Sequence, residues 1–499
     1  MSNEFVEEVD DLPEQMQVRR EKRAAILQQG GQAYPVTVPV TTTITKIREK
    51  YSHLQAEEVS GDVVGVAGRV MFLRNTGKLC FAQIQSGDGT TLQAMLSLDQ
   101  LGEAALDDWK SLVDIGDQIV FEGEVVSSKR GELSVLARRW IMAAKALRPL
   151  PNPHKPLNEE TRVRQRYADL IMRDTARQVA RLRPAMMTSL RKTFAEREFI
   201  EVETPMLQTM HGGAAARPFV TESNAFDMEL FLRIAPELFL KRCVVGGMER
   251  VFEINRNFRN EGADSTHSPE FAMLECYQAF ADYNDMAQLT QDLIQQAALD
   301  VHGSLTFDLI EGGSRDLSGE WDRVSVYPAV SAAVGQEISP ETPLATLQKL
   351  LKDAGISPDP KWIAGKCVEE LLEHYVVEKF TKPTFVIDYP VDTSPLVRDH
   401  RSTPGVVEKW DLYIAGYEAA TGYSELVDPV IQRERLVAQS SLKEGGDLEA
   451  MQLDEDFLRA LEYGMPPTGG IGVGIDRLLM TLTGLNIRET ILFPLVKPE

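Results

Sequence analysis

Cysteine is scarce in this sequence: four in 499 residues, Cys80, Cys243, Cys276 and Cys367, with no CxxC pair among them. That spacing supports neither a disulfide framework nor a zinc cage, and the four read as reduced core thiols. Long apolar runs are also missing, since none approaches the roughly 20 residues that a helical bilayer crossing needs. The start, "MSNEFVEEVDDLPEQ", lacks the basic region and apolar stretch of a secretion signal, so a cytoplasmic protein without membrane attachment is the expectation. Positive charge is in deficit as well: 53 Lys and Arg stand against 75 Asp and Glu, a formal net charge of −22. Phosphate contacts need cations, so any nucleic-acid contact must be local, and most of the acidity serves solubility.

What is present describes a soluble globular chain, 43% hydrophobic and 26% charged, too long for one ordinary core. Residues 1–60 read as a helical extension, in which "EQMQVRREKRAAILQQGGQAYP" forms a helix stopped by paired glycines and a proline. Its Arg19, Arg20, Lys22 and Arg23 are the densest basic cluster, as fit for a solvated face as for a nucleic-acid contact. Residues 61–150 alternate in short strands with turn signals between them, about five strands in under a hundred residues. That inventory predicts a small closed barrel of the oligonucleotide-binding kind, whose open face stacks bases on aromatics beside basic residues. Arg74, Phe81 and Gln93 are the candidates for that face.

Residues 151–170, Pro-rich and then helical, read as a linker. Beyond it Val179, Leu182, Met186, Leu190 and Phe194 recur at helical spacing, with Pro184 predicting a kink, before a β-rich turn into Pro205. Residues 318–382 carry helix formers such as "ATLQKLLKDAG" and "KCVEELLEHYVVEKF" and read as a helical insertion. The segment "RVFEINRNFR" alternates, which puts Glu253, Asn255, Asn257 and Arg259 on one face; "EFAMLECYQAF" alternates in turn, with Phe271, Met273, Glu275 and Tyr277 aligned. Two such strands around a Gly, Asp, Ser and Thr loop predict an antiparallel hairpin whose facing rows hold carboxylates, an arginine and aromatics.

At these residues the chain resembles a known family. "FRNEG...H.PEF" is similar to the second motif of class II aminoacyl-tRNA synthetases, "GIGVGIDRLLM" to the third and "EFIEVETPML" to the first. "GGAAARPF", "RIAPELFLKR", "VFEINRNFRNEG" and "GYSEL" resemble the bacterial lysyl-specific branch, in its actinobacterial form. The resemblance implies an α+β fold: an antiparallel class II sheet flanked by helices over residues 171–499, preceded by a five-stranded OB-fold barrel that binds an anticodon. The first motif falls near 190–207, the second near 250–278 and the third near 469–481.

The same resemblance implies roles. Arg259 and Arg477 are the catalytic candidates, and Arg259, Glu261, His267, Phe271 and Arg477 the ATP-binding ones, with adenine stacked between Phe271 and Arg477. Gly213, Glu237, Glu275, Tyr277, Thr421, Tyr423 and Glu425 are expected to hold L-lysine. Charge logic singles out Glu425 for the side-chain ammonium, since a terminal cation needs a carboxylate at the far end of its pocket. Asp411 and Glu418 are the candidates for Mg²⁺, with a bulge near Gly422 expected to bring Glu418 into phase with Glu425. Arg74, Phe81 and Gln93 would contact the anticodon of tRNA(Lys), and a homodimer would form through the first-motif region around Pro205. Three positions depart from the family pattern: Thr266 stands for an arginine, Thr421 for an asparagine and Asp411 for a glutamate. Two other readings stay open, a paralogue passing lysine or a related amine to a non-tRNA acceptor and a catalytically silent nucleic-acid-binding relative.

Overall fold

A computed structural model describes residues 13–155, 157–444 and 451–497 of the chain. Residues 1–12 of the acidic start, Pro156 of the expected linker and residues 445–450 and 498–499 of the expected catalytic domain lie outside them. The chain divides into two compact units, Met1–Arg177 and Gln178–Glu499.

In the first unit five strands close into a barrel in the order β1-β2-β3-β5-β4: β1 (Val59–Thr76), β2 (Leu79–Gln85), β3 (Thr91–Ser97), β4 (Gln118–Ser127) and β5 (Leu133–Ala144). Alternation decides which side chains enter it: Cys80, Ala82 and Ile84 of β2 and Leu92, Ala94 and Leu96 of β3 point inward and are buried. At the β4–β5 register shift, Gly123 lies where a β-carbon would fall 2.2 Å from the Leu136 carbonyl oxygen, so no larger residue fits. The helix Glu103–Leu112 supplies Trp109, wholly buried, with Phe121 at 5.5 Å and Trp140 at 5.6 Å between ring centroids. Before the barrel, the helices Glu14–Gln28 and Ile44–Tyr51 add Ile26, Ile44, Ile47 and Tyr51 to the same core. Two of the four basic residues noted above are thereby spent on structure: Arg19 donates to the carbonyls of Ala146 and Ile115, and Lys22 pairs with Asp114 at 2.6 Å. The Pro-rich stretch turns helical at Glu159–Arg164 and Arg166–Met172, where the buried Asp169 accepts from both Arg166 and Arg173.

The second unit holds β6 (Ile200–Glu201), β7 (Leu207–Gln208), β8 (Val220–Ser223), β9 (Met228–Leu232), β10 (Arg250–Phe258), β11 (Glu270–Ala279), β12 (Thr306–Asp308), β13 (Ser314–Asp316), β14 (Asp322–Ser325), β15 (Thr384–Pro390), β16 (Val406–Ile414), β17 (Tyr417–Ser424) and β18 (Thr468–Gly474). Eight of them form one sheet in the order β14-β15-β16-β17-β18-β11-β10-β6, antiparallel except at its two edges. One core buries a face of this sheet under the helices Asp174–Glu196, Tyr283–His302 and Ile475–Thr483, through Met186, Leu190, Phe194, Met286, Leu293, Leu478 and Leu482. The helix Tyr283–His302 starts at a capping box between Asp282 and Asp285 and stops at Gly303, whose φ of 73° suits glycine.

The expected insertion differs from its sequence reading at the start. Residues 322–325 are β14, an edge strand of the main sheet, paired in parallel with β15. Only after it come the helices Val326–Val334, Leu344–Asp353 and Ala364–Tyr375, which bury Val330, Leu347, Leu351, Val368 and Leu371 in a core of their own. A four-residue strand flanked by helix formers is too short for alternation to reveal it.

Candidate active site

The two alternating segments form the predicted hairpin, with Asn257 opposite Phe271, Asn255 opposite Met273 and Glu253 opposite Glu275. The registers of β10, β11, β18, β17 and β16 then continue across the sheet. One row runs Glu253, Glu275, Gly472, Thr421, Asp411, and the next runs Val251, Tyr277, Gly470, Tyr423, Lys409. Each row has a glycine on the central strand, where a β-carbon would collide with Met273 at Gly472 and with Glu425 and Tyr277 at Gly470. A cavity of about 430 Å³ is lined by Gly213, Glu237, Arg259, Glu261, His267, Phe271, Glu275, Tyr277, Asp411, Glu418, Thr421, Tyr423 and Arg477. The central strands supply the floor of this cavity, while Gly213 comes from a loop and Glu237 and Arg477 from helices.

At one end, Arg259 follows β10, its amide bonded to the Pro269 carbonyl, and its guanidinium carbon lies 5.2 Å from the Phe271 ring centroid. The Arg259 Nε is buried without a hydrogen-bond partner. The cation on the Phe271 ring is Arg259, whereas Arg477 donates to the Glu418 carbonyl at 2.7 Å and meets His267 Nε2 at 3.2 Å. Asp264 anchors the loop between, accepting from the amides of Thr266 and His267 and from the Thr266 hydroxyl. Asp476 was missed in the sequence: buried, it accepts from the Ala272 amide at 2.8 Å and pairs with Arg183 at 2.5 Å, which fixes the neighbours of Phe271 and Arg477 together.

The other end is acidic and closed. Burial, reinforced by the charge of Glu237, pushes the Glu275 carboxyl up to about 8, and its Oε2 accepts the Tyr277 hydroxyl at 3.1 Å. Glu425 lies behind this wall rather than on it. It follows β17 on the same face as Thr421 and Tyr423, but one step deeper, and is 1% exposed. Its Oε2 is 2.5 Å from the ammonium of Lys241, which also holds Glu237 at 2.7 Å, and beyond that ion pair neither Glu425 oxygen has a hydrogen-bond partner. A β-carbon on Gly470 would lie 2.0 Å from that oxygen and 2.7 Å from the Tyr277 ring, so the glycine is demanded by close approach. Lys241 was not singled out from sequence, although it stands four residues after Glu237 on one helix, a spacing at which opposite charges meet.

Asp411 and Glu418 both face the cavity. Their phase is set by an irregularity at Ala419, where Leu412 pairs with Ala420 but Tyr413 with Glu418. The bulge therefore lies three residues before Gly422, where it was expected. Asp411 accepts from Thr421 at 2.5 Å and pairs with Lys409 at 3.0 Å. Burial and then the charge of Asp411 push the Glu418 carboxyl up, as two neighbouring carboxylates must. A divalent cation relieves that repulsion, and Mg²⁺ needs only one or two carboxylates when phosphates and water complete its shell, so the pair fits such an ion. Among the described residues no group of three or more metal-ligating side chains occurs.

On the barrel, Arg74 pairs across strands with Phe81, its guanidinium 5.8 Å from the ring, and Gln93 bonds the Ser134 hydroxyl at 2.9 Å. Phe72, 53% exposed and opposite Gln83 in the same strand pairing, is an aromatic that the sequence reading passed over. Replacing Phe81 by alanine is expected to cost about 1–3 kcal/mol of binding to a single-stranded anticodon loop, the worth of one stacked base. Filter binding measures it, and an unchanged affinity would remove Phe81 from the interface.

Comparison with known proteins agrees with this geometry. Residues 158–497 match the family "tRNA synthetases class II (D, K and N)", and residues 64–143 match "OB-fold nucleic acid binding domain". The chain is 64% identical to a "Lysine--tRNA ligase" of Kineococcus radiotolerans, covering 99% of both chains. It is 57% identical to a "Lysine--tRNA ligase" of Mycobacterium tuberculosis, covering 98% of both. It is also 48% identical to a "Lysylphosphatidylglycerol biosynthesis bifunctional protein LysX" of Mycobacterium marinum, of which it spans 44%. With residues 158–497 matched by that family, the chain belongs to the class II tRNA synthetases.

Proposed function

We propose that this enzyme is a lysine–tRNA ligase: it activates L-lysine with ATP, releasing pyrophosphate, and transfers the lysyl group to the 3′ ribose of tRNA(Lys). The observation that carries the reading is a single cavity with Arg259, Phe271 and Arg477 at one end and a closed acidic end at the other. A planar cation and an aromatic ring suit a nucleotide, and the buried carboxylates suit a substrate with two ammonium groups. Adenine stacks on Phe271 with Arg477 over its other face, Glu261 accepts from the adenine amino group and His267 approaches the phosphates. Arg259 then leaves the ring for the α-phosphate. Glu237 and the Gly213 backbone hold the α-ammonium, while Glu275, Tyr277, Tyr423, Thr421 and Glu425 surround the side chain.

In the first step the lysine carboxylate attacks the α-phosphate, forming the lysyl-adenylate mixed anhydride as pyrophosphate leaves. In the second, a ribose hydroxyl attacks the carbonyl and AMP leaves. Neither step needs a dedicated side-chain base, so the protein's share is positioning and stabilisation of phosphoryl charge. Asp411 and Glu418 would hold Mg²⁺, which when bound neutralises charge shared between phosphate oxygens. Transfer of labelled lysine to tRNA tests the reading: periodate oxidation of the terminal ribose must abolish it. Lysine activation with no tRNA charging would favour a non-tRNA acceptor, and no activation a binding protein.

The acidic end has a pH consequence. Glu275 titrates near 4.5 when unfolded and is raised to about 8 in the folded chain, so the folded state holds the extra proton between those values. The stability this contributes is present at low pH and is lost as pH rises toward 8. A bound ammonium favours the ionised carboxylate and reverses the effect. The rise in melting temperature on adding lysine should therefore grow from pH 6 to pH 8, and a rise that shrinks over that range would contradict the assignment.

The reading also includes a homodimer through the first-motif region and a cytoplasmic setting. Leu207, Val220, Phe226 and Met228, on and beside the small sheet β7-β9-β8, stand exposed there, an apolar group suited to a partner subunit. Light scattering is expected to give twice the chain mass, and a monomer at micromolar concentration would refute it. No helix among the described residues is long and apolar enough to cross a membrane.

A further inference from the structure

The closed end of the cavity holds more than carboxylates. Lys241 is wholly buried in the helix Glu237–Val245, and its ammonium lies 2.7 Å from Glu237 Oε1 and 2.5 Å from Glu425 Oε2. The third carboxylate, Glu275, gives its Oε2 to the Tyr277 hydroxyl. Every carboxylate here therefore has one oxygen already engaged. Both Glu425 oxygens are buried and accept no hydrogen bond, so the Lys241 contact on Oε2 is an ion pair, and a β-carbon on Gly470 would fall 2.0 Å from Oε1 and 2.7 Å from the Tyr277 ring.

The shape of the cation decides what such oxygens can take. A guanidinium is a planar fork that bonds both oxygens of one carboxylate, whereas a primary ammonium is a point charge with three donors that takes single oxygens from separate partners. We propose that Lys241 is a specificity-determining residue: by pairing with Glu425 Oε2 it leaves that carboxylate one free oxygen, which suits an ammonium and denies a guanidinium its paired bonds. Lys241 acts through the carboxylates and touches no substrate atom, so it is a positioning residue. The inference rests on the lysine-activating reading above and adds the rule by which that pocket rejects guanidino amino acids.

Homoarginine is the probe, because it carries a guanidinium on lysine's own four-methylene chain. ATP–pyrophosphate exchange is measured with lysine and with homoarginine on the full-length protein and on Lys241→Met and Lys241→Gln. The ratio of kcat/KM for lysine over homoarginine is expected to fall at least tenfold in Lys241→Met and less in Lys241→Gln. The change should reside in the two amino-acid KM values, with the ATP KM and the lysine kcat nearly constant. A ratio within twofold of the unaltered protein in both variants overturns the proposal. So does an equal loss for both substrates, or failure of both variants to fold, since either makes Lys241 only a structural ion-pair partner. Absence of lysine-driven exchange in the unaltered protein would instead sink the activity reading before any variant is compared.

Discussion

Glu425→Gln is expected to lower kcat/KM for lysine-driven exchange by about two to three orders of magnitude or more, with little change in the ATP KM. Removing one partner of a buried charge pair costs about 3–5 kcal/mol, and each 1.4 kcal/mol is about tenfold. In this protein the effect is compounded, because Lys241 sits 2.5 Å from Glu425. With glutamine there, the buried ammonium keeps only Glu237 as a partner, and the closed end loses a negative charge while retaining its resident positive one. The substrate ammonium then approaches a weaker acceptor and an underpaired cation. The fold should survive, since Lys241 remains paired with Glu237 on its own helix. Steady-state exchange kinetics with lysine as the varied substrate check this, and an unchanged catalytic efficiency would remove Glu425 from the site.

The second large effect belongs to Arg259→Ala, for which kcat of adenylate formation should fall about 10²- to 10³-fold, the usual worth of one donor aimed at developing charge. Arg259 is placed for such a task by its buried, unpartnered Nε and by its seat at the end of β10. Its guanidinium carbon lies 5.2 Å from the Phe271 ring centroid, so cation and ring already adjoin. Arg259→Lys should recover little, because a point charge cannot reproduce a planar fork on a phosphoryl group. Single-turnover formation of adenylate isolates this step, and a kcat within threefold of the unaltered enzyme would contradict the role.

The hairpin was legible because its pattern has period 2 and both strands are long: Glu253, Asn255 and Asn257 face Glu275, Met273 and Phe271 as alternation requires. The barrel was legible for the same reason. What alternation cannot show is strand order, and the cavity depends on it, since β18 enters between β11 and β17 from about 190 residues further along the chain than β11. Resemblance supplied that link for Arg477. Charge logic singled out Glu425, which lies behind the cavity wall, but neither pattern nor charge logic revealed that a lysine already engages it. Lys241 looked like one more basic residue on an amphipathic helix, and only burial distinguishes it from a solvated one. The bulge at Ala419 was required by phase yet placed three residues late, because a single extra residue leaves no compositional trace in "YEAATGYSEL".

If the acidic end of the cavity selects the amino acid that the nucleotide end activates, amino-acid-dependent ATP–pyrophosphate exchange by the purified full-length protein, run against each of the twenty amino acids in turn, occurs with lysine and stays at background with the other nineteen, arginine included. Silence with all twenty, or a signal with aspartate or asparagine in place of lysine, would refute that selection.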